Sequence, residues 1–166
     1  MPEECCSVPE AGCAVCELPT AIERPPRTKA LCPQCGTAGK PVEGQTVRAL
    51  VSVSLLQVPH TGFLFCRTPS CPVVFFASSG SPVFLTSQVR ERVYQKEPAS
   101  NDVLVCYCFF HQAGEIRASS VEQQATILES INRGVQAKLC ACDLRNPQGS
   151  CCLGNVRALI KETFRP

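Results

Sequence analysis

Two short groups of cysteines in the C-terminal half concentrate most of the reactive chemistry of the chain. The first group is Cys106-Tyr-Cys108, and the second contains Cys140, Cys142, Cys151 and Cys152. Thiolates at this density are typical ligands of a soft metal, and four of them usually hold an iron–sulfur cluster. The sequence therefore indicates a cluster site that takes four ligands from six candidates.

Spacing narrows the choice of cluster ligands. Side chains two residues apart in an extended segment point the same way, so Cys106 and Cys108 can approach one iron. Adjacent residues point apart, and Cys152 begins a segment with helical periodicity, where the helix dipole stabilises a thiolate. We therefore prefer Cys152 to Cys151, whereas Cys140 and Cys142 stay open as alternatives.

A separate cysteine group precedes these along the chain. Cys32-Pro-Gln-Cys35-Gly36 has the form of a metal knuckle, in which Pro sets the turn, Gly takes positive φ and backbone N–H groups point at sulfur. Cys66 and Cys71 supply a second close pair. Four thiolates in two pairs are typical of a closed structural zinc site, so we expect these four cysteines to bind zinc.

Composition favours metal sites over disulfides. Cysteine occupies 14 of 166 positions, and the N-terminal residues lack the basic start and apolar core of a signal peptide. We therefore expect a cytoplasmic protein. The net charge of +2 and the absence of Trp favour no nucleic-acid partner. No run approaches the ~18 apolar residues of a membrane span, so no membrane insertion is expected.

Three regions are predicted. Residues 1–29 form a Cys-rich flexible arm and Pro-rich linker, residues 30–97 a zinc-binding subdomain, and residues 98–166 a helical cluster-binding subdomain. The arm either gathers Cu(I) or zinc or is a tail with loose thiols, and its cysteines are Cys5, Cys6, Cys13 and Cys16. A polar, Pro-broken stretch at 96–102 marks the second boundary.

Periodicity predicts the elements that position these sites. Apolar runs at 63–65, 73–77 and 83–85 indicate a small antiparallel meander that zinc would fasten. Residues 46–56 fit either a strand or a helix, and Thr46 as an N-cap favours the helix. A short helix is predicted over 113–119.

A longer helix and a final helix complete the cluster half. Ser120-Val-Glu-Gln123 is a capping box, and the longer helix that it opens ends near Gly134. The apolar faces predicted for the two helices are Val121, Ala125, Leu128, Ile131 and Val135, and then Leu153, Val156, Leu159, Ile160 and Phe164.

These motifs resemble the N-terminal domain of the archaeal-type CopZ copper chaperones. The resemblance covers roughly residues 31–164 and includes the order of the cysteine motifs and Asn146-Pro-Gln-Gly149-Ser-Cys151-Cys152. The cluster half is similar to bacterioferritin-associated ferredoxin. The resemblance implies an α+β fold, in which a zinc-stapled antiparallel β meander precedes a helical 2Fe–2S unit. It implies structural zinc at Cys32, Cys35, Cys66 and Cys71, and a 2Fe–2S cluster at Cys106, Cys108, Cys142 and Cys152.

The function implied by the resemblance is one-electron redox chemistry in copper handling, with Cu(II) reduced to Cu(I) for transfer. Expected partners are copper-transport or copper-storage proteins and an electron donor. The arm lies outside the resemblance, and its cysteines are the candidate acceptors of Cu(I) because neither proposed site uses them. The alternatives are an iron–sulfur carrier or redox sensor without a copper role, and a purely structural zinc-stapled interaction domain. Beyond a copper-reducing electron-transfer module, no enzyme activity is expected, since His60 and His111 belong to no catalytic motif.

Overall fold

An antiparallel sheet and a group of helices make up residues 30–163, the part of the chain that the computed structural model describes. The arm at 1–29 and residues 164–166, which include Phe164 of the predicted apolar face, lie outside the described residues. Within the described range, no helix combines the length and apolar character that crossing a membrane requires.

The sheet forms the first half of the described chain. Its strands β1 (Lys40–Val42), β2 (Phe63–Phe65), β3 (Val73–Ala77) and β4 (Val83–Leu85) are antiparallel and lie in the order β1-β2-β3-β4. The predicted meander is confirmed as β2, β3 and β4. The sequence did not predict β1, because three residues with a central Pro carry no strand signal.

The two faces of the central strands serve different purposes. Phe63, Phe65 and Phe75 pack into a core with helix α1 (Gly44–Leu50). Leu64 and Phe76 lie on the opposite face, in a cluster with Cys32, Cys66 and Cys71. Because successive strand residues point to opposite faces, the same two strands close a hydrophobic core and wall a cysteine site.

The helix predicted over 46–56 begins earlier and ends earlier than expected. Helix α1 has Glu43 as its N-cap, and Thr46 lies buried inside it, so the predicted N-cap is wrong. After Leu50 the chain becomes extended, because Val51 pairs with Val89 in an isolated antiparallel bridge. This long-range pairing overrides the helical periodicity of the residues that follow.

A hairpin and four helices form the second half. The hairpin joins β5 (Leu104–Cys106) to β6 (His111–Gln112). The helices that follow are α2 (Ala113–Ala118), α3 (Val121–Gln136), α4 (Cys142–Arg145) and α5 (Leu153–Thr163). The short helix α2 and the burial of Val156 and Leu159 on α5 are confirmed, whereas α4 was not predicted.

The capping box of α3 is confirmed, but its predicted apolar face is wrong in part. Ser120 Oγ accepts from the Gln123 N–H at 3.3 Å, and Gln123 Oε1 accepts from the Ser120 N–H at 2.8 Å. Val121 is exposed, and so is Ala125. The buried positions of α3 are Gln124, Ile127, Ile131 and Gly134.

Two contacts explain this shift of the buried face of α3. Gln124 can be buried because its Nε2 donates to the Ile116 carbonyl at 2.9 Å and to Thr163 Oγ1 at 3.3 Å. Gly134 leaves room for the Phe109 ring, since a Cβ there would lie 2.2 Å from Phe109 Cζ. Gly134 is thus a packing position, and helix α3 continues two residues past it.

The junction of the two halves centres on Tyr107. Its hydroxyl accepts from the Tyr94 N–H at 3.0 Å and donates to the Arg92 carbonyl at 2.9 Å. Tyr94 itself packs into the core of the second half. The predicted boundaries at 30, 97 and 98 stay predictions.

We predict that Gly134→Ala lowers the unfolding midpoint although Ala is the better helix former. Overpacking against Phe109 costs about 1–3 kcal/mol, which exceeds the ~1 kcal/mol gained in helix propensity. The measurement is thermal unfolding by circular dichroism on protein prepared without oxygen. Gly154→Ala is the matched control, because a Cβ at that helical glycine meets nothing within 4 Å and should leave the midpoint equal or raised. Equal shifts in both variants would contradict the packing role of Gly134.

Candidate metal centres

The first centre gathers the four cysteines of the N-terminal pairs. The sulfur atoms of Cys32, Cys35, Cys66 and Cys71 all lie within 4.8 Å of one another. Cys32 Sγ lies 3.9 Å from Cys71 Sγ, and Cys35 Sγ lies 3.6 Å from Cys66 Sγ. Three of the side chains are buried and Cys35 is half-buried. This donor set is the four-thiolate arrangement of a closed structural zinc site.

The knuckle has the geometry that the sequence predicts. Gly36 takes a φ of +69° and donates its N–H to the Cys32 carbonyl at 2.8 Å. The N–H groups of Gln34 and Cys35 donate to the Cys32 sulfur, and the Thr37 N–H donates to the Cys35 sulfur. Such backbone donors stabilise negative charge on sulfur.

The second pair lies at the ends of two strands. Cys66 directly follows β2 and its N–H donates to the Val74 carbonyl at 2.9 Å, while Cys71 lies two residues before β3. Thr68, in the loop between them, places its hydroxyl 3.3 Å from Cys35 Sγ and 3.1 Å from the Thr37 hydroxyl. Sequence reasoning missed Thr68, which no motif marks.

The thiols of this centre differ in acidity. Hydrogen bonding from Thr68 lowers the pKa of Cys35 to about 5. Burial raises the pKa of Cys71 to about 12 and raises that of Cys32 as well. Without a metal, Cys35 is therefore the thiol that loses its proton most easily. Cys71 and Cys32 require a bound cation to become thiolates.

The second centre draws its cysteines from four different elements. Cys106 ends β5, Cys142 is the first residue of α4, and Cys152 precedes α5, where its carbonyl accepts from the Asn155 and Val156 N–H groups. Cys108 lies in the turn after β5. The expectation that Cys106 and Cys108 share one extended segment is therefore wrong, because the hairpin turns immediately after Cys106.

The four candidate ligands of the cluster lie together nonetheless. Cys108 Sγ is 3.7 Å from Cys142 Sγ, and Cys152 interacts with both Cys106 and Cys142. Cys106, Cys142 and Cys152 are buried and Cys108 is half-buried. A chain of contacts thus runs from Cys106 through Cys152 and Cys142 to Cys108.

Shared hydrogen bonds make these thiols unequal. The contact with Cys152 lowers the pKa of Cys142 to about 6 and that of Cys106 to about 7. The same contacts and burial raise the pKa of Cys152, and burial raises that of Cys108 to about 11. The Ala141 N–H also donates to Cys108 Sγ at 3.3 Å.

A loop between α4 and α5 positions Cys152. Asn146 is buried, its Nδ2 donates to the Ser150 carbonyl at 2.8 Å, and its Oδ1 accepts from the Gln148 N–H at 3.1 Å. Gly149 takes a φ of +63° and donates to the Asn146 carbonyl at 2.8 Å. The Asn-Pro-x-Gly pattern is a turn signal, so this role of Asn146 could be found from the sequence.

The sheet holds the same loop from the other side. Lys40 Nζ on β1 donates to the Gln148 carbonyl at 3.2 Å and to Ser150 Oγ. A Cβ at Gly149 would lie 3.2 Å from Val42 Cγ1. Sequence reasoning missed Lys40, because no local pattern connects it to a loop more than a hundred residues away.

The remaining candidates lie beside the second centre. Cys140 is half-buried and its side chain interacts with Cys142, whereas Cys151 is exposed. Burial and the neighbouring Cys142 and Cys151 thiols raise the pKa of Cys140. His111 Nδ1 lies 3.2 Å from the Glu115 carboxylate, so this histidine is paired with a carboxylate.

Comparisons with known proteins agree with the first centre. Residues 29–90 match the family zf_CopZ, described as a zinc binding domain. The copper chaperone CopZ of Archaeoglobus fulgidus is 31% identical over 128 residues, which are 77% of this chain and 60% of that protein. The chain thus spans 60% of the length of that relative. The X-ray structure of the A. fulgidus CopZ N-terminal domain is similar with a TM-score of 0.61 at 29% identity, covering 78% of this chain and 96% of that one.

We predict that Thr68→Val weakens zinc binding roughly 10–100-fold, the usual effect of losing a hydrogen bond to a metal ligand. The substitution keeps the shape of the side chain and removes the hydroxyl beside Cys35 Sγ. Competition with a chromophoric zinc chelator measures the change. Thr126→Val, on the exposed face of α3, is the matched control and should bind zinc as the parent does. Unchanged affinity in Thr68→Val would refute a supporting role for this hydroxyl.

Proposed function

The chain carries a zinc-binding domain of the CopZ type, homologous to the N-terminal domain of Archaeoglobus CopZ, and we propose on this basis that it is a one-electron redox protein of copper handling. In this proposal, zinc at the first centre is structural. A 2Fe–2S cluster at the second centre supplies the redox chemistry. The observation that carries the proposal is the gathering of four thiols from separate elements at the second centre.

The first centre supports a structural and not a catalytic zinc. Cys32, Cys35, Cys66 and Cys71 provide all four ligands of a tetrahedral ion and leave no position for water or substrate. The knuckle and the ends of β2 and β3 meet at this ion. Zinc would therefore fasten a sheet whose strands are mostly three residues long.

The second centre fits a 2Fe–2S cluster by its donor set. Such clusters are held by four thiolates, and Cys106, Cys108, Cys142 and Cys152 offer four. A chain of contacts joins these four sulfurs, which would together hold the two irons. Backbone N–H groups of Cys108, Phe109 and Ala141 donate to these sulfurs and stabilise their negative charge.

The copper step requires a single electron. When bound, a 2Fe–2S cluster takes up or releases one electron, which is the difference between Cu(II) and Cu(I). In the proposal, an electron-donor protein supplies that electron, and copper-transport or copper-storage proteins exchange the ion. Thiolates prefer Cu(I), so we propose the arm residues Cys5, Cys6, Cys13 and Cys16 as its acceptors. The ten described cysteines are all unpaired, which agrees with a reducing compartment such as the cytoplasm.

A second candidate function is an iron–sulfur carrier or redox sensor without a copper role. This candidate is supported by unequal exposure at the second centre. Cys108 is half-buried, so oxidants can reach it, whereas Cys106 is fully buried. Reduction of Cu(II) to Cu(I) distinguishes the copper-handling protein from the carrier or sensor. A purely structural zinc domain is separated from both by its lack of visible absorption.

We predict one zinc and two irons per chain in protein purified without oxygen. Cys142→Ser and Cys152→Ser should lose the iron and its visible absorption, because each removes a proposed ligand. The matched controls Cys140→Ser and Cys151→Ser should keep both, and Cys32→Ser should lose zinc while retaining iron. The measurements are elemental analysis and the anaerobic absorption spectrum. Colour kept in Cys152→Ser and lost in Cys151→Ser would overturn the ligand assignment.

We further predict that dithionite-reduced protein is oxidised by Cu(II), with one Cu(I) formed for each electron lost. Decay of the reduced-state EPR signal and Cu(I) recovered by a colorimetric chelator measure the two sides of this balance. A variant with serine at Cys5, Cys6, Cys13 and Cys16 should transfer the electron equally well but retain less Cu(I). Loss of iron without matching Cu(I) would end the copper-reduction proposal and favour the sensor.

A further inference from the structure

Three cations surround the end of strand β2. Lys40 on β1 lies directly opposite Phe65 in the antiparallel register, so the two side chains lie on the same face of the sheet. Lys96 Nζ lies 5.9 Å from the centroid of the Phe65 ring, and Arg67 follows Phe65 by two positions. Burial and the positive charge of Arg67 lower the pKa of Lys40, which agrees with this proximity. We refer to Lys40, Arg67 and Lys96 as the basic patch.

The basic patch is not neutralised within the described part of the chain. No carboxylate of residues 30–163 forms a salt bridge with any of its three cations, and Glu97, the neighbour of Lys96, pairs with Arg92 instead. Lys96 and Lys40 each donate to a backbone carbonyl, at 2.8 Å and 3.2 Å. Because these acceptors are neutral, the patch keeps its positive charge for a partner outside the described fold.

The most acidic part of the chain is joined to the fold beside this patch. Residues 1–23, which we call the acidic segment, contain five Glu and no Lys or Arg. The remaining residues contain all 16 Lys and Arg with only nine of the 14 Asp and Glu. The Ala30 carbonyl accepts from the Gly39 N–H at 3.1 Å, so the described chain begins next to the residue that precedes Lys40.

We propose that the acidic segment docks on the basic patch of its own chain. The two carry opposite charges, and the attachment beside Lys40 gives the segment a high effective concentration at the patch. Seven positions separate Glu23 from Ala30, a reach of about 23 Å, so the chain is long enough for the glutamates to meet the three cations. An acidic partner protein would meet the same cations only by competing with this tethered segment.

Docking would bring arm thiols toward the second centre. Lys40 also donates to the Gln148–Ser150 loop, which leads to Cys152. Cys13 and Cys16 lie between two glutamates of the acidic segment, so a segment held at the patch would hold these thiols near that loop. This purpose rests on the proposed function, in which the arm thiols accept Cu(I), whereas the docking itself rests on charge and attachment alone.

Cross-linking of the full chain, purified without oxygen and with its bound metals, tests the docking. A carbodiimide joins a carboxylate to an amine where the two are in contact, and mass spectrometry locates the linked pair. At low ionic strength we expect links from the acidic segment to Lys96 and Lys40, and none to Lys138 or to Lys161 on α5. Salt at about 1 M, where the Debye length is about 3 Å, should abolish these links.

A charge-matched pair of variants tests the basic patch. Arg67→Gln removes an exposed cation of the patch, and Arg157→Gln removes an exposed cation of α5. We expect several-fold fewer links to Lys96 in Arg67→Gln and unchanged links in Arg157→Gln. Tryptic cleavage after Arg24 should likewise be several-fold faster in Arg67→Gln than in the control, because the docked segment protects this bond.

Three results would overturn the proposal. Equal linking of the acidic segment to Lys96, Lys138 and Lys161 would show contact without a docking site. Equal linking and cleavage in Arg67→Gln and its control would exclude the patch. Cross-linked dimers whose yield rises with protein concentration would assign the docking to a second copy of the chain. Because neither measurement uses copper, failure of the docking is distinguishable from failure of Cu(II) reduction, which the EPR experiment measures.

Discussion

The cost of holding several thiolates in a partly desolvated volume is the constraint on which both halves of this molecule depend. Four negative sulfurs in a partly desolvated volume are unstable without a cation, and the chain shows the cost in its raised thiol pKa values. Burial raises the pKa of Cys71 to about 12, and contacts with Cys106 and Cys142 raise that of Cys152. Backbone N–H donors at both centres offset part of this cost, and a bound metal must supply the remainder.

Features set by neighbouring residues could be predicted from the sequence. The knuckle at Cys32 and Cys35 depends on a turn of a few residues, and the capping box at Ser120 depends on the four residues from Ser120 to Gln123. The meander follows from short apolar runs separated by turns. The similarity of residues 29–90 to a zinc-binding family confirms the metal assignment of this half, and an α+β arrangement of helices and antiparallel sheet is observed.

Features set by distant contacts could not be predicted in this way. Helix α1 ends where Val51 pairs with Val89, and the buried face of α3 follows the Phe109 ring against Gly134. The cysteines of the second centre show the same division between local and distant information. Spacing suggested that Cys106 and Cys108 share a strand, but the hairpin turn separates them, and their grouping with Cys142 depends on packing across the whole second half.

The hydrogen bonds from Lys40 to the Gln148–Ser150 loop make the second half depend on the sheet of the first half. Lys40 and Val42 project from the same face of β1, one bonding the loop and the other lying against Gly149. The buried Thr46 hydroxyl lies beside the same glycine. Recombination that replaced the zinc half with an unrelated one would strip the loop of its support. The loop that leads to Cys152 therefore depends on the zinc half for its support, with β1 as the shared surface.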